Sequence, residues 1–181
     1  VIEHNSVVHS ADPDNIYGFQ VEVPENKYNL GEIYNLCISR GTLTDEERFK
    51  INDHIVQTIV MLESLPFPKH LERVPEIAGG HHEKIDGTGY PKRLTGDEMS
   101  VPAKVMAIAD VFEALTAVDR PYKKPKKLSD SVKIMSFMVN VQHLDPELFR
   151  LFLESGVYRD YAQKYLLPAQ VDDFDIANYL N

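Results

Sequence analysis

The chain has 181 residues, of which 43% are hydrophobic and 26% are charged, and these values are ordinary for a globular protein. No apolar run approaches the roughly 20 residues that a membrane-spanning helix needs. The formal net charge of −9 argues against binding a nucleic-acid polymer, because such binding depends on basic side chains. A small anionic ligand stays compatible with this charge, since local charge decides its binding.

Cysteine usage and the first residues bear on the cellular compartment. Cys37 is the only cysteine, which excludes an internal disulfide framework and a cysteine zinc cluster. Residues 1–10 lack the basic flank and apolar stretch of a signal peptide. We therefore expect a cytoplasmic location for this part of the protein, while a membrane tether upstream of it stays open.

Residues 1–29 show no helical period, and we assign them no role. Alternating apolar side chains there predict a short strand that ends at Pro24; they are Tyr17, Phe19, Val21 and Val23. A helix is expected from Leu30 to Ser39, with Gly41 after it as a stop signal.

Thr44 and Glu47 have the spacing of a capping box, which predicts a helix up to about Ser64. The side chains expected to face inward are Ile51, Ile55, Ile59 and Leu62. Another helix is predicted from Leu71 to about His82, with Pro75 tolerated near its first turn.

A glycine- and proline-rich loop follows, and Ser100 is expected to cap the next helix. The apolar stripe predicted for that helix comprises Val105, Ile108, Ala109, Phe112 and Leu115. Three later helices are predicted, from Ser129 to about Asn140, from Asp145 to Gly156 and from Val157 to Leu167. The acidic tail 168–181 carries Tyr179 and Leu180 and is expected to dock. The sum is an all-α, mainly helical domain over 30–167, with at most a short N-terminal β element.

Four residues suggest chemistry rather than packing: His54, His81, His82 and Asp110. An ionised Asp110 inside the most apolar helix needs a partner. Imidazole and carboxylate ligands together suit zinc, iron, manganese or nickel. Adjacent histidines on a helix point about 100° apart, so two neighbouring ions would share the pair more easily than one ion would take both.

Each of these residues also has an ordinary structural interpretation. A single mid-helix histidine is more often exposed or hydrogen-bonded than a ligand, and Asp110 could form an ion pair with Lys104 or Arg120. A cationic run is by itself typical of a solvated loop; it comprises Arg120, Lys123, Lys124, Lys126 and Lys127. The pattern alone leaves a metal site open.

The stretch from His81 to Pro91 reads HHEKIDGTGYP. It resembles the signature of the HD-GYP family, in which a His-His pair precedes an Asp-Gly-Thr-Gly-Tyr-Pro loop. The likeness continues through residues 107–116 and 119–123 and covers about 41–152.

The resemblance implies an HD-domain-like bundle and a divalent metal cofactor (iron, manganese, zinc or nickel). It implies that His54, His81, His82 and Asp110 bind metal, and that the last three are catalytic. Arg120 and Lys123 match the positions that contact the dinucleotide phosphates. Lys84 and Tyr90 are further candidates for substrate binding. The motif loop comprises Gly87, Gly89, Tyr90 and Pro91, and in the family it can touch partner signalling domains.

The function implied is metal-dependent hydrolysis of cyclic di-GMP in bacterial second-messenger signalling. One departure matters, because no histidine in the chain is followed by aspartate, whereas the family takes ligands for both metals from such a pair. We expect that the chain is a C-terminal portion that begins after this pair, and that it is inactive or nearly so by itself. Two alternatives stay open: a non-catalytic module that binds a nucleotide or a protein partner, and a phosphohydrolase that acts on another nucleotide.

Overall fold

A computed structural model describes residues 15–39, 41, 43–118 and 125–180. These ranges contain seven α-helices and no sheet, which confirms the all-α prediction. The helices are α1 (Glu32–Leu36), α2 (Asp45–Glu63), α3 (Val74–Gly79), α4 (Val101–Thr116), α5 (Leu128–Asn140), α6 (Pro146–Glu154) and α7 (Val157–Tyr165). None of them is long and apolar enough to cross a bilayer.

Side-chain caps begin the three helices that carry or support the site. The Thr44 hydroxyl accepts from the Glu47 N–H, and the Glu47 carboxylate accepts from the Thr44 N–H, so the predicted capping box begins α2. Ser100 caps α4 as predicted. Asp145 caps α6 by accepting from two backbone N–H groups of its first turn.

Two groups of buried apolar side chains form the core. The smaller one lies between α2 and the N-terminal segment; its buried members are Phe19, Ile55, Val56 and Ile59. The larger one is formed mainly by side chains of the helices α4, α5, α6 and α7. The tail packs against this larger group, as expected, through Phe174, Ile176, Tyr179 and Leu180.

Several local predictions are wrong. Residues 17–23 do not form a strand. The segment is irregular, and among the residues that the structure describes its backbone bond to a distant partner joins the Gln20 N–H to the Pro91 carbonyl, with no ladder there. The helix predicted from Leu71 to His82 spans only α3. Ile51 on α2 is 53% exposed.

The apolar stripe of α4 is also partly wrong. Ile108 and Phe112 are buried as predicted, but Val105 is 48% exposed and Ala109 is exposed. The buried face runs instead through Ala103 and Ala107. Small residues on this face let α3 approach closely, because a Cβ on Gly80 would lie 2.8 Å from the Ala103 Cβ.

Candidate metal centre

Two segments bring three imidazoles together. His54 lies in the middle of α2, and His81 with His82 occupies the turn that follows α3, which packs against α2. One ring nitrogen from each residue lies within 4.8 Å of the other two. The Nε2 atoms of His54 and His82 are 3.2 Å apart. Two nitrogen ligands of one tetrahedral zinc ion would lie about 3.3 Å apart, so this spacing fits metal binding.

Backbone carbonyls orient two of the rings. The His54 Nδ1–H donates to the Ile51 carbonyl, and the His81 Nδ1–H donates to the Ala78 carbonyl at 2.6 Å. Because a carbonyl only accepts, these bonds set the tautomer and leave each Nε2 with a lone pair for a metal. The spacing of these histidines in the sequence does not reveal the hydrogen bonds from their Nδ1 atoms to backbone carbonyls.

His82 is suited to bind metal as a neutral ligand. Burial lowers its pKa to about 4, and the neighbouring His81 and His54 lower it in the same direction. The ring is therefore uncharged near neutral pH and offers a lone pair. The phenol ring of Tyr90 stacks on it and limits its movement.

The two adjacent histidines do not diverge as expected for neighbours on a helix. The α3 helix ends at Gly79, so His81 and His82 lie in a turn, and their ring centroids are only 4.1 Å apart. Both join His54 in one group of ligand atoms. Whether one ion or two neighbouring ions share the pair stays a prediction, since ligand atoms this close suit either arrangement.

Asp110 lies close to this cluster without joining the group of mutually near ligand atoms. Burial lowers the pKa of His82, and the Asp110 charge acts in the opposite direction. Burial raises the pKa of Tyr90, and the Asp110 charge acts in the same direction. The suggested ion pair with Lys104 does not form, because Lys104 binds Asp145 at 3.0 Å. Asp110 is thus a carboxylate near the histidines, close enough for its charge to act on His82.

The remaining predicted residues divide into two sets. Lys84 is half-buried beside the pair of histidines, and its ammonium donates to the Thr88 hydroxyl at 3.4 Å. Arg120 and Lys123 lie outside the described residues. Their contact with phosphate stays a prediction.

Glu83 holds the motif loop, a role that was not predicted from the sequence. Its carboxylate is 1% exposed and accepts from the Lys92 N–H at 2.7 Å and the Leu94 N–H at 2.9 Å. Burial raises its pKa, although these backbone bonds act in the opposite direction. The only sequence signal was its position directly after the two histidines.

Two glycines fit the loop for different reasons. Gly87 has a φ of +76°, which L side chains rarely adopt. Gly89 packs on the chain at Glu83, where an added Cβ would lie 2.4 Å from the Glu83 Cα and the Lys84 nitrogen. The Tyr90 N–H also donates to the His82 carbonyl. The loop is therefore tied to the segment that carries the ligands.

His143 is a second residue that sequence reasoning missed. Its carbonyl accepts from the Ile85 N–H at 3.3 Å, which attaches the turn after α5 to the loop. Its pKa is lowered by burial and then by the Lys84 charge, and His143 in turn contributes to the low pKa of His82. A single histidine before Leu144 carried no recognisable signal.

Comparison with known proteins matches residues 4–148 to the family described as HD domain. The chain is 36% identical over 148 residues to 3'3'-cGAMP-specific phosphodiesterase 1 of Vibrio cholerae, covering 77% of this chain and 33% of that protein. It is 32% identical over 152 residues to a cyclic di-GMP phosphodiesterase of Thermotoga maritima, covering 80% of this chain and 40% of that protein. It is 50% identical over 107 residues to a cyclic di-GMP phosphodiesterase response regulator of Xanthomonas campestris, covering 58% and 28%.

The chain spans between 28% and 40% of the length of these three relatives. The matched family residues include the α2 histidine, the His-His turn and the motif loop. The chain therefore belongs to the HD domain family, and within it to the HD-GYP type.

Proposed function

We propose that the histidine cluster serves metal-dependent hydrolysis of a phosphodiester bond in cyclic di-GMP. The observation that carries this proposal is the convergence of three imidazole nitrogens, two of them with their lone pairs set by backbone carbonyls. Imidazoles with fixed tautomers next to a carboxylate suit a divalent transition metal, and iron, manganese, zinc and nickel all remain candidates.

The chain's own residues would divide the work as follows. His54, His81 and His82 would hold the metal, with Asp110 as the nearby carboxylate. A bound divalent ion would activate water and offset negative charge on the phosphoryl oxygens. Lys84, Arg120 and Lys123 would attract and hold the phosphates. Tyr90 would form one side of the site, next to His82.

In the reaction class proposed, water adds its oxygen to phosphorus and a proton goes to the departing ribose oxygen. Either the linear dinucleotide or GMP would be the product. The names of the relatives support a cyclic dinucleotide substrate, since they specify cyclic di-GMP or 3'3'-cGAMP. We also propose that other signalling domains bind this chain through the motif loop.

The proposal is tested by metal content and by turnover. The chain, loaded with Mn²⁺ or Fe²⁺, should bind metal, and His81→Ala or His82→Ala should weaken that binding about tenfold to a hundredfold or more. His70→Ala is the matched control, because His70 is exposed and lies in the turn before α3. In a longer protein that contains this chain, His81→Ala and Asp110→Ala should abolish hydrolysis of cyclic di-GMP. Unchanged turnover would reject the assignment.

A second candidate is a module that binds the dinucleotide or a protein partner without cleaving it. It is favoured by one observation: the family match begins at residue 4, well before His54, and no histidine in the chain is followed by aspartate. We propose that the 181-residue chain has little turnover by itself. Robust hydrolysis by the isolated chain would exclude this candidate, and binding of cyclic di-GMP without hydrolysis by the longer protein would support it.

A further inference from the structure

A groove of about 460 Å³ opens beside Tyr90. Three segments line it: irregular residues 20–24, the first half of α2 and residues 88–93, which include part of the motif loop. Its volume lies in the range of sites that bind small organic ligands. Because Tyr90 both stacks on His82 and lines the groove, the groove adjoins the histidine cluster.

Polar side chains of both charges line this groove. Asp45, Arg48 and Asn52 occur at spacings of three and four residues, so they lie on one face of α2. Glu22 and Arg93 line it from the other two segments and form an exposed ion pair at 2.9 Å. The lining thus offers two guanidinium donors and two carboxylate acceptors. Because their formal charges cancel, the groove does not favour a simple anion.

Arg93 occupies a backbone position that favours glycine. Its φ is +56°, in the left-handed region, which costs an L residue about 1 kcal/mol or more. Arg93 also lies directly before Leu94, whose N–H is held by Glu83. An arginine in this strained conformation is explained if its side chain has a use in the groove.

We infer that this groove receives a guanine base of the cyclic dinucleotide, an inference that rests on the proposed function. Guanine presents the acceptors O6 and N7, which suit a guanidinium, and the donors N1–H and N2–H₂, which suit a carboxylate. Arg48 and Arg93 would both donate to the O6 and N7 edge of the base. Asp45 or Glu22 would accept from N1 and N2. Adenine carries an amino donor where guanine has O6, so it would meet a guanidinium donor and leave the carboxylates unpaired.

Tyr90 explains how one ligand could reach both places. The Tyr90 ring lines the groove and also stacks on His82, so a base in the groove and its phosphate beside His82 need not be far apart. The exposed pair of Glu22 and Arg93 is inexpensive to rearrange, because its side chains are 87% and 45% exposed.

The test is calorimetric titration of the Mn²⁺-loaded chain with cyclic di-GMP, 3'3'-cGAMP and cyclic di-AMP. Affinity should decrease in that order, by about tenfold or more between the first and the last. Arg48→Ala and Arg93→Gly should each weaken cyclic di-GMP binding about tenfold and leave cyclic di-AMP binding nearly unchanged. Arg93→Gly should keep or raise the melting temperature, since glycine suits the φ of this position.

Arg150→Ala is the matched control, because Arg150 forms a comparable exposed pair with Glu154 on α6, outside the groove. Its affinities should equal those of the unaltered chain. Equal affinity for all three dinucleotides, or variants that keep the preference for guanine, would overturn this inference and leave the metal-dependent activity standing. A chain that binds none of the three would overturn this inference alone, because hydrolysis of cyclic di-GMP by the longer protein tests the metal-dependent activity separately.

Discussion

The phenol ring of Tyr90 stacks on the imidazole of His82, with 4.8 Å between the ring centroids and 22° between the ring planes. Tyr90 belongs to the loop that identifies the family, and His82 belongs to the histidine cluster. The loop and the three histidines are therefore one packed unit, and we expect a change in the loop to affect metal binding through this contact.

Removal of the ring should weaken metal binding. We expect Tyr90→Ala to lower Mn²⁺ affinity severalfold, because aromatic pairs contribute roughly 0.5–1.5 kcal/mol beyond their buried area. Tyr90→Phe keeps the stack and should retain the original affinity. Isothermal titration with Mn²⁺ measures both. Equal losses in the two variants would show that the hydroxyl matters and that the stack does not.

Glu83 should contribute strongly to stability. Glu83→Ala leaves the partly buried N–H groups of Lys92 and Leu94 without their acceptor, at up to about 1–3 kcal/mol for each. Glu83→Gln keeps one acceptor oxygen and should cost less. Urea denaturation gives the free energy of unfolding, and Glu72→Ala at an exposed position is the control. A loss no larger than that of Glu72→Ala would contradict the role assigned to Glu83.

Gly89 and Gly156 should respond differently to alanine. The Cβ of Gly89→Ala would meet backbone atoms at 2.4 Å, so the loop must move, and we expect a loss of about 2–3 kcal/mol. Gly156 has a φ of +76° but no atom within 4 Å of an added Cβ, so Gly156→Ala should cost only about 1–2 kcal/mol. Thermal unfolding compares the two. Only Gly89→Ala should also weaken Mn²⁺ binding.

Asp145 should make stability depend on acid pH. Burial alone would raise its pKa, but the Leu148 N–H and the Lys104 ammonium outweigh burial and hold the pKa below the usual value of 3.8. A carboxyl with a lower pKa in the folded state stabilises the fold above the unfolded pKa. That stability is lost as pH falls through the folded pKa.

Asp145→Asn keeps an acceptor for the cap of α6 and removes the charge that pairs with Lys104. The slope of unfolding free energy against pH should therefore flatten below about pH 4. Asp145→Ala also loses the cap and should cost a further roughly 1 kcal/mol at pH 7. Urea denaturation at several pH values measures this. An unchanged slope in Asp145→Asn would refute it.

Local sequence patterns correctly predicted those features that depend on interactions between residues close together in the chain. The capping box at Thr44 and the caps at Ser100 and Asp145 began helices where expected, because a cap involves residues only two or three apart. The residues 17–23 failed as a strand for the opposite reason: a strand needs a partner, and alternation in one segment cannot supply it.

The sequence by itself determined the helical class, the family and the three histidines, since the His-His pair and the Gly-Tyr-Pro loop are local motifs. Only the tertiary structure decided that His54 meets His82 across 28 positions, that Glu83 turns inward to hold the loop, and that Arg48 and Arg93 share a groove. Such relations depend on how separate segments pack and on which polar groups lose water when they do. Neither quantity is encoded in the spacing of residues along one segment.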